Sequence, residues 1–251
     1  MSIRKKLDIS AYLVVGPENT KGRPVASIVK DAVAAGFTCV QIRSKVASAR
    51  ELIELTRQAA QVIAAAGKAG EVALLVDDRL DVVLAARKAG IKVDGIHVGQ
   101  SDIPVEVCRE YLGEDSIVGL SARTHDLFDY VKSADISQID YFGAGPVHET
   151  ATKPDCGLGP DGKVITRSFD ELAELARISP LPVVVGGGVK LVDIPPLAQT
   201  GVDGFFVVTA VTEAEDPKAA ATALVNAWKA YQPAAAKNKR RNWEDDCRRD
   251  I

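Results

Sequence analysis

The feature that most constrains this chain is an alternation of short apolar, β-branched runs with longer segments of helical periodicity. The runs are Ala11–Val15, Thr38–Ile42, Ala73–Val76, Gly95–Val98, Ile117–Leu120, Gln138–Phe142, Val183–Val185 and Gly204–Val207. Each is nearly continuous in apolar residues, the mark of a strand covered on both faces. Between them, Ala49–Ala66 sets Leu52, Leu55, Thr56, Ala59, Val62 and Ile63 on one stripe, as an amphipathic helix requires. Leu80–Lys88 and Asp126–Ser133 follow the same rule. Pro217–Tyr231 opens on Asp216-Pro217, a cap followed by a first-turn proline. The phrases AAGFTCVQI, KAGIKVDGIHV and QTGVDGFFV each pass from a helix end through glycine into a strand. Repeated βα units over 251 residues predict a TIM (β/α)8 barrel, with a doubly wound open sheet as the rival. The barrel is expected over residues 1–231. Residues 232–251 read as a charged tail outside it, flexible or helical.

Composition removes several classes of function. A net charge of −3 gives no global reason for nucleic acid or an anionic membrane as partner. No uninterrupted apolar run is long enough to span a bilayer. The opening MSIRKKLDIS has charges but no apolar stretch after them, so a secretory signal is not expected. Cys39, Cys108, Cys156 and Cys247 show no CxxC spacing, which argues against zinc and for a reducing cytoplasm. The sequence is compatible with a homo-oligomer but does not specify one.

In such a barrel, chemistry collects in the loops that follow the strands. After the second run, Gln41, Arg43 and Lys45 alternate with Ile42 and Ser44. Two cations and an amide aimed at a barrel mouth suit a polyphosphate; a solvated strand end is the plain alternative. Asp77 and Asp78 follow the third run and Asp102 the fourth. Carboxylates on adjacent strand ends can share Mg2+, which takes one or two of them plus substrate phosphates. Helix capping by Asp78 and Asp102 explains the same positions. Ser121 follows the fifth run. Thr150, Thr152 and Lys153 lie in a long loop, Thr150–Arg167, after the sixth. Gly186-Gly187-Gly188 closes the seventh, as a phosphate cradle or a tight turn. His97, inside the fourth run, and Cys39 read as core residues. His125 and His148 carry no clear pattern, and no Ser/His/Asp or Cys/His set emerges.

Taken in order, these segments resemble the thiamine phosphate synthases. The matching pieces are QIRSK (Gln41–Lys45), VDD (Val76–Asp78), DGIHVGQSD (Asp94–Asp102), VGLSA (Val118–Ala122), GAGPVHETATK (Gly143–Lys153), GGV (Gly187–Val189) and VVTAV (Val207–Val211), over Tyr12 to about Tyr231. The resemblance implies a transferase. It joins 4-amino-2-methyl-5-hydroxymethylpyrimidine diphosphate to thiazole phosphate and releases pyrophosphate, through a pyrimidinylmethyl cation and with Mg2+. It further implies that Arg43, Lys45 and Lys153 grip the diphosphate and that Asp77 and Asp102 hold the metal. Gln41 would orient the pyrimidine, and Ser121 would contact the pyrimidine or the leaving group. Thr150, Thr152, Gly188, Val208 and Thr209 would form the thiazole-phosphate pocket. Two departures stand out. Val76 occupies the substrate-facing place where the family usually has asparagine, just before the first metal aspartate. Arg123 stands two residues after the serine, where histidine is common. A thiazole tautomerase-like isomerase or a non-catalytic phosphate-binding paralogue are the alternatives on the same scaffold.

Overall fold

The computed structural model describes residues 3–150 and 163–233. Among them, eight strands pair in parallel and in sequence order: β1 Ala11–Val15, β2 Cys39–Ile42, β3 Ala73–Asp77, β4 Gly95–Val98, β5 Ile117–Ser121, β6 Tyr141–Ala144, β7 Val183–Val185 and β8 Gly204–Val207. β8 returns to β1, so the sheet closes into a barrel and the open-sheet alternative falls away. Helices α1 Val25–Ala35, α2 Ala49–Ala65, α3 Leu80–Lys88, α4 Val105–Leu112, α5 Leu127–Ser133, α6 Phe169–Ile178, α7 Ile194–Gln199, α8 Thr209–Thr212 and α9 Pro217–Tyr231 follow the strands. Ser48 with Glu51, and Ser168 with Glu171, form reciprocal capping boxes that fix where α2 and α6 begin. Among the described residues no helix is long and apolar enough to cross a membrane.

Because alternate residues of a strand face opposite sides, the strands feed two apolar layers. Leu13, Val40, Leu74, Val76 and Ile96 pack outward with the helices. Tyr12, Cys39, Leu75, Ile117, Tyr141 and Val184 fill the barrel. Two strands differ from the sequence expectation in a way that matters. β6 starts at Tyr141 and not Gln138, because Ile139 N–H is still engaged by the Ile136 carbonyl in the preceding turn. Gly143 and Ala144 are therefore strand residues. β3 extends to Asp77, which makes that carboxylate part of the barrel wall.

The N-terminal end of the barrel is closed. Ile3 and Leu7, in and after a 3-10 turn at Ile3–Lys6, pack against the inner cluster. A side chain just before each even strand accepts a hydrogen bond from the N–H of the odd strand beside it. Ala11 N–H donates to Thr38 Oγ1 at 3.3 Å, Leu74 N–H to Asp94 Oδ2 at 2.7 Å, Val118 N–H to Asp140 Oδ2 at 2.8 Å and Val183 N–H to Asp203 Oδ2 at 2.9 Å. The recurring sequence phrases noted above carry three of these four residues. Asp140, 2% exposed, also accepts from the partly exposed Arg4 Nε at 2.7 Å and from the buried Arg109 Nη2 at 2.9 Å.

Candidate active site

At the opposite end, the inward phase of the strands delivers polar groups to the mouth. On β2 the inward residues are Cys39 and Gln41, and Arg43 continues that phase; on β3 they are Ala73, Leu75 and Asp77. A cavity of about 360 Å3 is walled by Gln41, His97, Asp102, Ser121, Arg123 and Phe206, among others. A second, of about 120 Å3, is walled by Arg43, Asp77, Thr150, Gly187, Gly188, Val208 and Thr209. Val14, Gln41, His97, Ser121 and Phe206 border both, so these are two lobes of one space. The sequence-derived candidates Gln41, Arg43, Ser121, Thr150, Gly188, Val208 and Thr209 are thus brought together. Thr152 and Lys153 lie outside the described residues, as does most of the long loop that carries them.

The floor is a continuous hydrogen-bonded row. Gln41 Nε2 donates to Tyr12 Oη at 2.7 Å, and the Tyr12 and Tyr141 hydroxyls are 3.0 Å apart. Tyr141 Oη lies 2.9 Å from His97 Nδ1, and His97 Nε2 lies 3.0 Å from Ser121 Oγ. Gly119 makes room for this: a Cβ there would fall 2.2 Å from the Tyr141 ring. Burial pushes the hydroxyls of Tyr12 and Tyr141 well above the usual phenol range, so both keep their protons. His97 is therefore a cavity residue and not the packing residue its sequence context suggested. Tyr12 and Tyr141 were missed as well. A run apolar on both faces hides which residues turn inward.

The rim carries the charges. Arg43 Nε lies 3.2 Å from Asp77 Oδ2, and Lys45 Nζ 3.6 Å from the same oxygen. Lys45 also donates to Asp78, and the Asp78 and Asp102 carboxyls are hydrogen-bonded to each other. Burial pushes the Asp77 carboxyl up to about 7, helped by the adjacent Asp78 charge; Arg43 and Lys45 pull the other way and do not prevail. Burial and the Asp78 contact also raise Asp102. Burial works against Asp78 too, but its bonds with Lys45, Asp102 and Asp77 hold it below the usual carboxylate range.

This geometry corrects two expectations. The carboxylate that faces Asp102 is Asp78, not Asp77; Asp77 sits in the wall, 9% exposed, against Arg43. Val76 is fully buried in the layer between barrel and helices and cannot touch a substrate. The cause is parity: Asp77 points in, so Val76 points out. Asp78 is thus the carboxylate paired with Asp102 on the rim, and Asp77, immediately before it, is part of the wall. Capping does not explain these side chains. The residue capping α3 is Arg79, without a side-chain bond, and Asp102 Oδ2 accepts from Gly99 N–H at 2.9 Å inside its own loop. Asp78 adopts φ 58°, a left-handed conformation that aspartate tolerates better than most residues. Arg123 lines the larger lobe, 4.5 Å over the Tyr130 ring and 3.3 Å from Asp126.

Gly187 and Gly188 both take positive φ, 82° and 73°, and a Cβ on Gly188 would come within 2.8 Å of His148 Cβ. Their backbone can therefore lie against the Pro146–His148 loop, opposite the first turn of α8. The first N–H groups of any helix lack intrahelical acceptors. Glycine turns and short helices after strands seven and eight are where barrels of this kind bind phosphate.

A closed barrel with a split mouth rimmed by cations and carboxylates defines the class: a TIM-barrel enzyme. The chain belongs to the thiamine monophosphate synthase family, whose model matches residues 11–211. It is 40% identical over 224 residues to the thiamine-phosphate synthase of Corynebacterium efficiens, covering 89% of this chain and 96% of that protein. To the thiamine-phosphate synthase of Natronomonas pharaonis it is 35% identical over 226 residues, 90% of this chain and 98% of the relative. The solved thiamine phosphate pyrophosphorylase of Pyrococcus furiosus superposes with a TM-score of 0.73 at 28% identity, covering 92% of this chain and all (100%) of that one.

Proposed function

We propose that this chain is a thiamine-phosphate synthase, condensing the aminopyrimidine diphosphate with thiazole phosphate and releasing pyrophosphate. The observation that carries this reading is the split cavity. Its two lobes meet at Gln41, His97 and Ser121, as a reaction joining two separately held molecules requires. The larger lobe ends at Asp102 and Arg123 beneath the charged rim; the smaller ends at Gly188, Val208 and Thr209.

The chemistry follows from where charge develops. As the bond from the pyrimidine methylene to diphosphate lengthens, negative charge grows on the leaving group. Fixed cations stabilise that state more than the ground state. Family resemblance assigns this part to Arg43, Lys45 and Lys153, and the position of Arg43 and Lys45 at the rim supports it. Gln41 and Ser121 hold the ring from the floor. Val14 and Phe206 present apolar wall at the junction, which limits the water that would otherwise capture the pyrimidinylmethyl cation. The thiazole nitrogen, held through its phosphate by the Gly187–Gly188 turn, α8, Thr150 and Thr152, is then the nearest nucleophile. No general base is needed.

The residues present suit a divalent cation. Among the described residues no cluster of three acidic or histidine ligands occurs, but Mg2+ beside a diphosphate needs only one or two carboxylates. Asp78 and Asp102, side by side and mutually repelling when both are charged, are the pair that would hold it. Bound there, it would neutralise charge on the departing pyrophosphate.

The case for a non-catalytic paralogue rested on Val76, and its place outside the cavity removes that case. A tautomerase has no use for the retained cation–carboxylate rim. The partners are then phosphorylated small molecules, with no role for nucleic acid or membrane. The free buried thiols of Cys39 and Cys108 suit a cytoplasmic enzyme. Incubation with both substrates and Mg2+ should yield thiamine phosphate and pyrophosphate in equal amounts. Binding of both substrates without either product would overturn the reading.

A further inference from the structure

The hydrogen-bonded floor has a direction, and it can be worked out atom by atom. Gln41 Nε2 can only donate, so Tyr12 Oη accepts from it at 2.7 Å. Tyr12 has one proton to give. Its neighbours are the Cys39 sulfur, a weak acceptor, and Tyr141 Oη at 3.0 Å, a better one. Tyr141 therefore accepts from Tyr12, and its own proton goes to His97 Nδ1 at 2.9 Å. A neutral imidazole with an accepting Nδ1 carries its hydrogen on Nε2. That hydrogen is given to Ser121 Oγ at 3.0 Å, and the Ser121 proton is left to point into the cavity.

Building on the synthase reading, we propose that Tyr12, Tyr141 and His97 are positioning residues that set the polarity of pyrimidine recognition. The row presents Gln41 Oε1 as an acceptor at one end and the Ser121 hydroxyl as a donor at the other. A 4-aminopyrimidine matches this pattern, with an exocyclic donor beside a ring-nitrogen acceptor. Its 4-oxo counterpart reverses the pattern, with a carbonyl acceptor beside a ring N–H. The row thus selects amino over oxo rings without any of its three inner members needing to touch the substrate. The reverse polarity requires the Gln41 amide to be turned over, with Oε1 accepting the Tyr12 proton, N–H2 facing the ligand and hydrogen on His97 Nδ1, so the His97 tautomer separates the two directions.

Two measurements test this. The chain has three histidines, so 15N NMR with His125→Gln and His148→Gln backgrounds assigns the His97 signals in the ligand-free protein. The expected state is hydrogen on Nε2 alone in the wild type, with Nδ1–H gaining population in Tyr141→Phe. Hydrogen on Nδ1 in the wild type, alone or together with Nε2, overturns the polarity, and so does a tautomer indifferent to Tyr141→Phe. The second measurement compares the affinity of the 4-amino substrate with that of its 4-oxo diphosphate analogue. Tyr12→Phe frees the Gln41 amide to turn, so discrimination should fall by about tenfold. The KM for thiazole phosphate should stay unchanged. Full discrimination in Tyr12→Phe overturns the proposal. If the wild type makes no thiamine phosphate, the synthase reading fails, while the tautomer measurement still decides the direction of the row.

Discussion

The two ends of the barrel use the same residue types to opposite effect. At the closed end one carboxylate, Asp140, receives Arg4, Arg109 and the Val118 N–H. At the open end three carboxylates, Asp77, Asp78 and Asp102, share two cations, Arg43 and Lys45. The first group is saturated with donors and has nothing to offer a ligand. Among the described residues, the second has more carboxylates than cations. Burial and mutual repulsion raise Asp77 and Asp102, and a cation or a proton would relieve them. Charge that is balanced serves the fold; charge left out of balance in a cavity serves a ligand.

The largest effect that would break this contrast is expected at the closed end. Asp140→Ala leaves Arg109, only 4% exposed, without its counter-ion and removes a strand tie. Loss of one partner of a buried pair costs about 3–5 kcal/mol, readable as a lowered urea midpoint. Turnover per folded molecule should be near wild type, and a stable but inactive Asp140→Ala would mean that the closed end has a chemical role.

Next is Val76→Asn. An amide placed in the helix-facing layer finds no solvent, and an unsatisfied buried group costs about 1–3 kcal/mol. Equilibrium unfolding should show this loss with no gain in the rate of thiamine phosphate formation. A faster enzyme would restore Val76 to the site and refute the parity of β3 described above.

At the open end, Asp102→Asn should leave stability unchanged or slightly raised, because burial and Asp78 disfavour its charge, whereas Asp78→Asn should lower it slightly, because the bond from Lys45 is lost. Each should lower turnover at limiting Mg2+ by at least about tenfold, ~1.4 kcal/mol of barrier. Asparagine tolerates the left-handed backbone of position 78, so folding is not the confounder. Wild-type rates in both variants would show that this pair is not where the metal is held.

The smallest effect is expected for Arg123→Ala. Its stacking on Tyr130 and contact with Asp126 are at the surface, so thermal stability should move by no more than about 0.5 kcal/mol. A rise in the KM for the pyrimidine diphosphate alone would make it a rim cation of the larger lobe; no change would leave it a solvent-facing residue.

Much of this was legible in the sequence. β1, β4, β7 and β8 fall where their apolar runs lie; α3 and α9 match the periodicity that predicted them, and α9 also has its expected Asp216 cap. QIRSK could be phased because polar and apolar residues alternate in it. LLVDD could not. Ala73–Val76 is apolar on both faces, so nothing in it says which residue looks into the barrel. The phase comes from the neighbouring strand, where Gln41 is paired with Leu75 and Ile42 with Val76. Extending that pairing carries Arg43 onto Asp77 and puts Val76 outside. The same blindness hid His97, Tyr12 and Tyr141, which lie in runs that read simply as buried. The rim pair Asp78 and Asp102 was visible as a set of acidic residues, but not which two of the three would meet.

The four ties at the closed end acquire a further meaning from that error. A strand that slides by one residue against its neighbour exchanges its two faces, and a strand apolar on both sides gives the hydrophobic effect little reason to resist. Thr38, Asp94, Asp140 and Asp203 each bind the neighbouring strand at a single N–H, so each ratchets one odd strand against one even strand. A slip of β3 past the Asp94 tie would turn Val76 to the substrate and Asp77 to the helices. The aspartates farthest from the chemistry thus act as its proofreaders, fixing during assembly which side of each strand the reaction will meet.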